Sequence, residues 1–381
     1  MSIRITDEVG LDKPIYVTQP CLPPLKDFMP YLEEIWENKW LTNNGPMHKR
    51  LESALAEYLE VPYVSLFCNG MAALQTSLNC LRVEGEVITT PFTFVATTHA
   101  ISLHGCTPVF CDIDPVNFNI DPNKIEALIT DKTTAIMGVH VYGQPCDTKK
   151  IEAIANRHNL KVIYDAAHAF GVKENGESIL LKGDLSILSF HATKVFNTLE
   201  GGAIISHDLE TKTRIDQLKN FGIENEESTL NIAGNGKMNE VQAAFGLMQL
   251  DTVSLQIKRR QRVSLLYREG LGNIKKISVM HDQEGVQSNY GYFPIIVMEG
   301  FPLSRDELYE LLKKKGINTR KYFYPLVSNL RPYQDSEQSD INKLTVSRQI
   351  SNNILCLPIY PELAIKAVHS AIEAIVDCQI G

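Results

Sequence analysis

The chain has 381 residues, 44% hydrophobic and 22% charged, values ordinary for a folded globular protein and long enough for two domains. Its 37 Lys and Arg against 45 Asp and Glu give a net charge of −8, which excludes a chain-wide basic field for nucleic acid. Uncharged apolar stretches long enough to cross a bilayer (roughly 20 residues) are absent from the sequence, so no membrane span is expected.

The first segment, MSIRITDEVGLDKPIYV, carries acids and no apolar h-region, so a secretory signal is not expected. The eight cysteines are scattered without a C-x-x-C pair, which offers neither a zinc site nor a disulfide framework. The expectation is a cytoplasmic protein with reduced thiols and no metal.

From about residue 60 to 206, short apolar runs alternate with helical patterns. The runs are YVSLF (63–67), EVITT (86–90), TPVFC (107–111), TTAIMGVHV (133–141), LKVIY (160–164), LSILSF (185–190) and GAIISH (202–207). Between them, Leu74, Leu78 and Leu81 share one helical face, as do Ile151, Ile154 and Ala155. DPNKIEALI (121–129) opens like a helix, with an Asp N-cap and Pro in the first turn. Unbroken apolar strands alternating with helices predict an α/β fold, with a largely parallel sheet covered on both faces.

A long helix is predicted over 238–271, with Val241, Phe245, Met248 and Val253 apolar on its early turns. After it come a predicted strand (288–298), a helix (304–316) ending at a Gly cap, a polar loop (335–343) and a final helix (361–378). The expected organisation is a large domain over 15–250 and a smaller α+β domain over 251–381.

The nucleotide-binding signatures G-x-G-x-x-G and G-x-x-x-x-G-K-[ST] are missing, as are H-E-x-x-H and G-x-S-x-G. Three other features stand at the carboxyl ends of predicted strands, where open α/β sheets place their ligands. In LFCNGMAAL (66–74) a strand gives way to a helix at Asn69–Gly70–Met71, a natural phosphate seat or a plain strand-to-helix turn. In VIYDAAHAFG (162–171) Asp165 follows its strand, with His168 three residues on; such an acid holds a cationic ring nitrogen or serves as an N-cap. In LSFHATKVFNTLEGGAI (188–204) Lys194 lies in a polar turn beside Ser189, His191 and Thr193. A lone loop lysine is ordinarily a solvated charge, but between two sheet strands it can be desolvated and nucleophilic. A phosphate turn, a strand-end Asp and a loop Lys, in that order, are what pyridoxal 5′-phosphate requires.

The run SFHATKVFNTLEGGAI, with DAAHAFG and NGMAAL upstream and GNGKMNEVQAAFGL (234–247) downstream, resembles the DegT/DnrJ/EryC1/StrS nucleotide-sugar aminotransferases. The resemblance extends from about residue 15 to 360 and implies the aspartate-aminotransferase fold, fold type I, with pyridoxal 5′-phosphate as cofactor. It implies Lys194 as the Schiff-base lysine, Asp165 as partner of the pyridine nitrogen and His168 as hydrogen-bond partner of the cofactor's phenolic oxygen. Ser189, Asn69, Gly70 and Met71 are implied around the phosphate, and Phe94 stacked on the pyridine ring. Asn235 is implied to reach the phosphate of a neighbouring subunit, which makes the protein a homodimer with a shared active site. Two residues depart from the family pattern: Met71, where Ser or Thr is usual, and Lys237, where Arg is usual.

NKWLTNNGP (38–46), EVITTPFTFVAT (86–97) and HVYGQPCD (140–147) are similar to the members that aminate C4 of a dTDP-linked 4-keto-6-deoxy sugar, with L-glutamate as amino donor, for O-antigen or related glycans. Amination at C3, or of a GDP- or UDP-linked keto sugar, is the alternative. Thr42, Asn43, His191 and Tyr322 are the candidate sugar contacts.

Overall fold

The computed structural model describes residues 13–335 and 342–379; the leader reading of residues 1–12 and most of the polar loop 335–343 lie outside them. Two helices open the chain, α1 (Leu25–Asn38) and α2 (Pro46–Leu59). There follow β1 (Tyr63–Phe67), α3 (Gly70–Cys80), β2 (Glu86–Thr89), α4 (Val95–Leu103), β3 (Thr107–Phe110), the short α5 (Pro122–Ile125), β4 (Thr133–Val139), α6 (Thr148–His158) and β5 (Lys161–Asp165). A small hairpin, β6 (Lys173–Glu174) and β7 (Glu177–Ser178), precedes β8 (Leu185–Ser189) and β9 (Gly202–Ser206).

The main sheet has seven strands in the order β1-β9-β8-β5-β4-β2-β3. The pairings among β3, β2, β4, β5 and β8 are parallel, because helices or long crossovers separate those strands in sequence. β9 runs antiparallel to both neighbours, since the chain returns from β8 through the loop at 190–201 instead of a helix. Both faces are covered. Along β8 and β9, Ile187 and Ile204 pack with Leu74, Leu78 and Ala100 of α3 and α4, while Leu188, Ala203 and Ile205 pack with Leu51 and Leu55 of α2 on the other face. Each of these leucines and isoleucines contributes about 1.5–3 kcal/mol on leaving water, which is why the runs read as continuously apolar.

Next come α7 (Leu209–Leu218), the small hairpin β10 (Ile223–Asn225) and β11 (Ser228–Thr229), and the 32-residue α8 (Glu240–Leu271). Asn239 starts α8 with a capping box closed by Gln242. β12 (Ile277–Val279), β13 (Val286–Gln287) and β14 (Phe293–Val297) follow, then α9 (Arg305–Lys314), α10 (Thr345–Asn353), β15 (Ile354–Leu357) and α11 (Ile365–Val376). β12, β14 and β15 form a separate antiparallel sheet. Its core joins Tyr267 of α8 to Phe293, Leu308 and Val368. α8 therefore packs on α1 and α2 at one end and on α11 at the other. Ile15 belongs to this second core, its N–H bonded to Gly316 O at 2.8 Å.

Several elements are shorter than the sequence predicts. The strand expected from 288 begins at Phe293, because the Asn289 side chain bonds His168 O and Phe170 O and pins that stretch to the main unit. The helix over 121–129 reduces to α5 and a 3₁₀ turn. The final helix starts at Ile365 rather than 361 and ends in a 3₁₀ turn at Asp377–Gln379.

Candidate active site

A cavity of about 350 Å³ opens at the carboxyl ends of the parallel strands. Val139 ends β4, Asp165 ends β5, Ser189 ends β8, and Asn69 follows β1; all four line it. It is the place that topology assigns to a ligand in an open α/β sheet.

At one end is the start of α3. The Asn69 side chain caps this helix by accepting from Ala72 N at 2.8 Å, so the N–H groups of Gly70 and Met71 have no intrahelical acceptor at the cavity wall. A Cβ on Gly70 would lie 3.0 Å from Ser189 Cβ, and one on Gly202 would lie 2.8 Å from Asn69 C. Glycine at both positions lets the helix terminus, the Ser189 hydroxyl and β9 crowd together, a cradle suited to a phosphate. Met71 brings no hydroxyl, leaving Ser189 and the backbone as the donors.

Asp165 is buried. Thr97 Oγ1 donates to its Oδ2 at 2.7 Å and Ala167 N to its Oδ1 at 3.1 Å. Burial pushes the carboxyl up, and the Thr97 and Ala167 bonds pull against that shift. A carboxylate held this way is stabilised by a cation arriving from the cavity. His168 takes part through one defined tautomer: Tyr142 N donates to its Nδ1 at 3.1 Å, so the proton sits on Nε2. Burial, reinforced by the charge of Lys194, holds this imidazole well below its ordinary pKa, hence neutral. Phe323 lies parallel to the ring at 5.9 Å between centroids, with an angle of 4°.

Lys194 sits in the β8–β9 loop, its N–H bonded to His191 O at 2.9 Å. Burial lowers its amine to about 8, with Asp165 and Tyr322 opposing the shift. Nζ lies 3.2 Å from Tyr292 Oη. At the rim, His191 bonds Thr193 Oγ1 at 2.8 Å and pairs with Glu200 at 3.5 Å. Phe94, 60% exposed, forms part of the wall.

Lys194, Asp165, His168, Ser189, Asn69, Gly70, Met71, Phe94, His191 and Tyr322 thus converge on one cavity. Thr42, Asn43 and Asn235 do not line it: Thr42 and Asn43 are exposed on the α1–α2 loop, and Asn235 is exposed beside the end of β1, where Gly236 O accepts from Cys68 N at 2.7 Å. Sequence reasoning missed Thr97, Tyr142 and Tyr292, whereas Phe323 belongs to the aromatic run RKYFYP (320–325) that also supplies Tyr322. Thr97 carries no local signal, and Tyr292 was hidden in a stretch read as strand.

The donor set fits pyridoxal 5′-phosphate: a desolvated amine, a buried carboxylate, a neutral imidazole N–H and an anion seat share one cavity of matching chemistry. A desolvated lysine on a loop at the carboxyl edge of this sheet can form a Schiff base with such a cofactor. The sequence profile of the DegT/DnrJ/EryC1/StrS aminotransferase family matches residues 25–376, and the chain belongs to that family. It is 52% identical over 355 residues, 93% of this chain and 96% of the relative, to the dTDP-4-amino-4,6-dideoxy-D-glucose transaminase of Shigella dysenteriae. The Escherichia coli protein of that name is 50% identical over 354 residues, 92% of this chain and 95% of the relative. Among solved structures, DesI in the presence of its TDP-sugar product superimposes with a TM-score of 0.93 at 32% identity, covering 97% of this chain and 94% of that one.

Proposed function

We propose that the protein transfers the amino group of L-glutamate to C4 of dTDP-4-keto-6-deoxy-D-glucose, giving dTDP-4-amino-4,6-dideoxy-D-glucose. The observation that carries the reaction type is the desolvated Lys194 amine in one cavity with Asp165 and the α3 terminus. The choice of sugar rests on the identity of 52% to a transaminase named for that product.

Pyridoxal 5′-phosphate, when bound, supplies the electron sink that stabilises negative charge at the carbon losing a proton. The chain supplies the rest. The Gly70 and Met71 N–H groups and the Ser189 hydroxyl would hold the phosphate. Asp165 would hold the ring nitrogen's proton, His168 Nε2–H would donate to the phenolic oxygen, and Phe94 would cover the ring. Lys194, with a pKa of about 8, is close enough to neutrality to remove the proton from the α-carbon of glutamate and deliver one to C4 of the sugar. His191 and Tyr322 at the cavity, with Thr42 and Asn43 from the exposed loop, are proposed to face the sugar nucleotide.

The working form is proposed to be a cytoplasmic homodimer in which Asn235 reaches the partner's phosphate site. Its exposure supports this, as does the nearby Ile232, 93% exposed. The division into units 15–250 and 251–381 is proposed along the same lines, with α8 running through both. Supply of this amino sugar to O-antigen or related glycans is proposed as the use of the product.

The test is a single incubation of protein, cofactor, L-glutamate and the dTDP-keto sugar, with the product read by mass spectrometry and NMR. An axial or C3 amine overturns the assigned product. Absence of any product, with glutamate still altering the cofactor spectrum, overturns the sugar alone.

A further inference from the structure

The hydrogen bond at Lys194 crosses between the two parts of the molecule. Lys194 stands on the loop between β8 and β9 of the main sheet, and Tyr292 immediately precedes β14 of the second sheet. Their atoms Nζ and Oη are 3.2 Å apart, the contact is part-buried, and Lys194 is the hydrogen-bond partner of that hydroxyl. The Tyr292 ring is fenced by aromatic neighbours: His168 at 4.6 Å and 50°, Tyr142 at 5.4 Å and 46°, and Tyr322 at 6.0 Å and 78°. Upstream, Asn289 bonds the carbonyls of His168 and Phe170 at 2.8 and 3.0 Å and takes the N–H of Gly291 on its Oδ1 at 3.0 Å. The backbone that carries Tyr292 is therefore tied to the turn that carries His168, and the hydroxyl has little freedom to leave the lysine.

We propose that Tyr292 is a positioning residue for Lys194: its hydroxyl accepts a hydrogen bond from the free lysine amine and holds it at one point of the cavity between the two proton transfers. The inference rests on the aminotransferase reading of this cavity and deepens it. A free four-carbon side chain samples many rotamers, and each proton transfer needs the amine within hydrogen-bond reach of the reacting carbon. A fixed acceptor removes that search. Burial also pushes the Tyr292 phenol up, with Cys356 adding to the shift and Arg260 of α8 opposing it, so the group stays a hydroxyl in the working pH range. The groups that face Lys194 are Asp165, Tyr322, His168 and Tyr292.

Tyr292→Phe keeps the ring and removes only the oxygen. A residue that serves only packing would leave Lys194 unchanged. In the cofactor-free protein, trinitrobenzenesulfonate labelling of Lys194, followed against pH by peptide mass spectrometry, reads the amine directly. The wild-type midpoint is expected near 8. Because the hydroxyl oxygen stabilises the ammonium, its loss lowers the midpoint by about 0.5–1 unit, the equivalent of one ordinary hydrogen bond. In the loaded enzyme kcat falls about tenfold with KM for both substrates unchanged. A midpoint that stays or rises overturns the proposal, and so does a wild-type kcat. If Tyr292→Phe does not fold, the chain carrying fluorotyrosine, a weaker acceptor, at position 292 alone must show the same downward shift, and an unmoved midpoint there overturns it equally. The labelling experiment needs neither sugar nor donor, so its outcome does not depend on the substrate assignment.

Discussion

Thr97 Oγ1 donates to Asp165 Oδ2 at 2.7 Å, joining α4 to the end of β5 beneath the cavity. Thr93 Oγ1, itself at the cavity wall, lies 3.1 Å from the Thr97 hydroxyl, so a short chain of hydroxyls leads to the carboxylate. Burial raises the Asp165 carboxyl, and this bond is the stronger of the two that oppose the rise. Thr97→Val conserves the shape and deletes the donor. It is expected to weaken the hold on a protonated ring nitrogen and to lower kcat/KM by about tenfold, the equivalent of one hydrogen bond to a charged group. Thr97→Ser is expected to keep most activity. Steady-state kinetics of the three proteins decide the matter, and equal rates for the valine and wild-type chains would remove Thr97 from the site.

Lys194→Met is expected to abolish turnover, with a loss of at least about a thousandfold, while the far-ultraviolet spectrum stays native. Its effect on stability has a definite sign. Burial lowers the amine from 10.5 to about 8 in the folded protein. Between those values the unfolded chain binds more protons than the folded one, so stability of the cofactor-free protein rises as pH climbs from about 8 toward 10.5. Below about 8 both states are charged and the folded one bears the cost of burial. Methionine carries no such cost. Melting temperatures measured from pH 7 to 10 are expected to show the variant more stable at pH 7 and the difference shrinking as pH rises. A constant difference would mean that Lys194 is not the group responsible.

Much of this arrangement is legible in the sequence. The strands β1 to β5, β8 and β9 announce themselves as apolar runs because each is buried on both faces. Lys194 and Asp165 each have an ordinary structural reading alone, and stand out only in combination with the Asn69–Gly70–Met71 turn, in that order along the chain. The residues that hold them do not stand out. Thr97 meets Asp165 across 68 positions and Tyr292 meets Lys194 across 98, so nothing local in VATTHA or SNYGYF marks either. The strand predicted from 288 failed for the same reason: Asn289 spends its side-chain amide on His168 O and Phe170 O, a tertiary bond that overrides the local β pattern.

Asp112 also links the main-sheet part of the molecule to α10. It follows β3, and its carboxylate accepts from Val346 N at 3.0 Å, Ser347 N at 2.7 Å and Ser347 Oγ at 2.5 Å, at the start of α10. Lys124 adds a contact at 3.0 Å. Burial would raise this carboxyl, but the Ser347 bonds, helped by Lys124 and Val346, outweigh it and hold it below the ordinary range. A depressed folded value stabilises the protein above the unfolded pKa of about 4 and is lost as pH falls through the folded one. Asp112→Asn cannot accept three such bonds and is expected to cost about 2 kcal/mol at pH 7. The cost should fade on acidification below about pH 4. Urea midpoints at pH 7 and pH 3.5 test it, and an equal cost at both would show that the charge is immaterial.

Glu240 caps a helix to which it does not belong. The N-cap of α2 is Gly45, which has no side chain to offer, and the buried Glu240 carboxylate accepts from Met47 N at 2.8 Å and His48 N at 3.0 Å instead. The same glycine makes room for it: a Cβ at position 45 would lie 2.6 Å from Glu240 Cδ and 2.8 Å from Trp40 Cδ1. Glu240→Ala leaves two helix-terminal N–H groups unpaired and is expected to cost about 2 kcal/mol. Gly45→Ala displaces the carboxylate by overpacking and is expected to cost about 1–3 kcal/mol. Both changes break the same two bonds, so the costs are not independent. In the double variant the methyl group enters space the carboxylate has left, and only the contact with Trp40 remains to be relieved. The double cost is therefore expected to fall short of the sum by about 1–2 kcal/mol. Urea denaturation of all four proteins at one protomer concentration measures the coupling, and strict additivity would mean that Gly45 and Glu240 act separately.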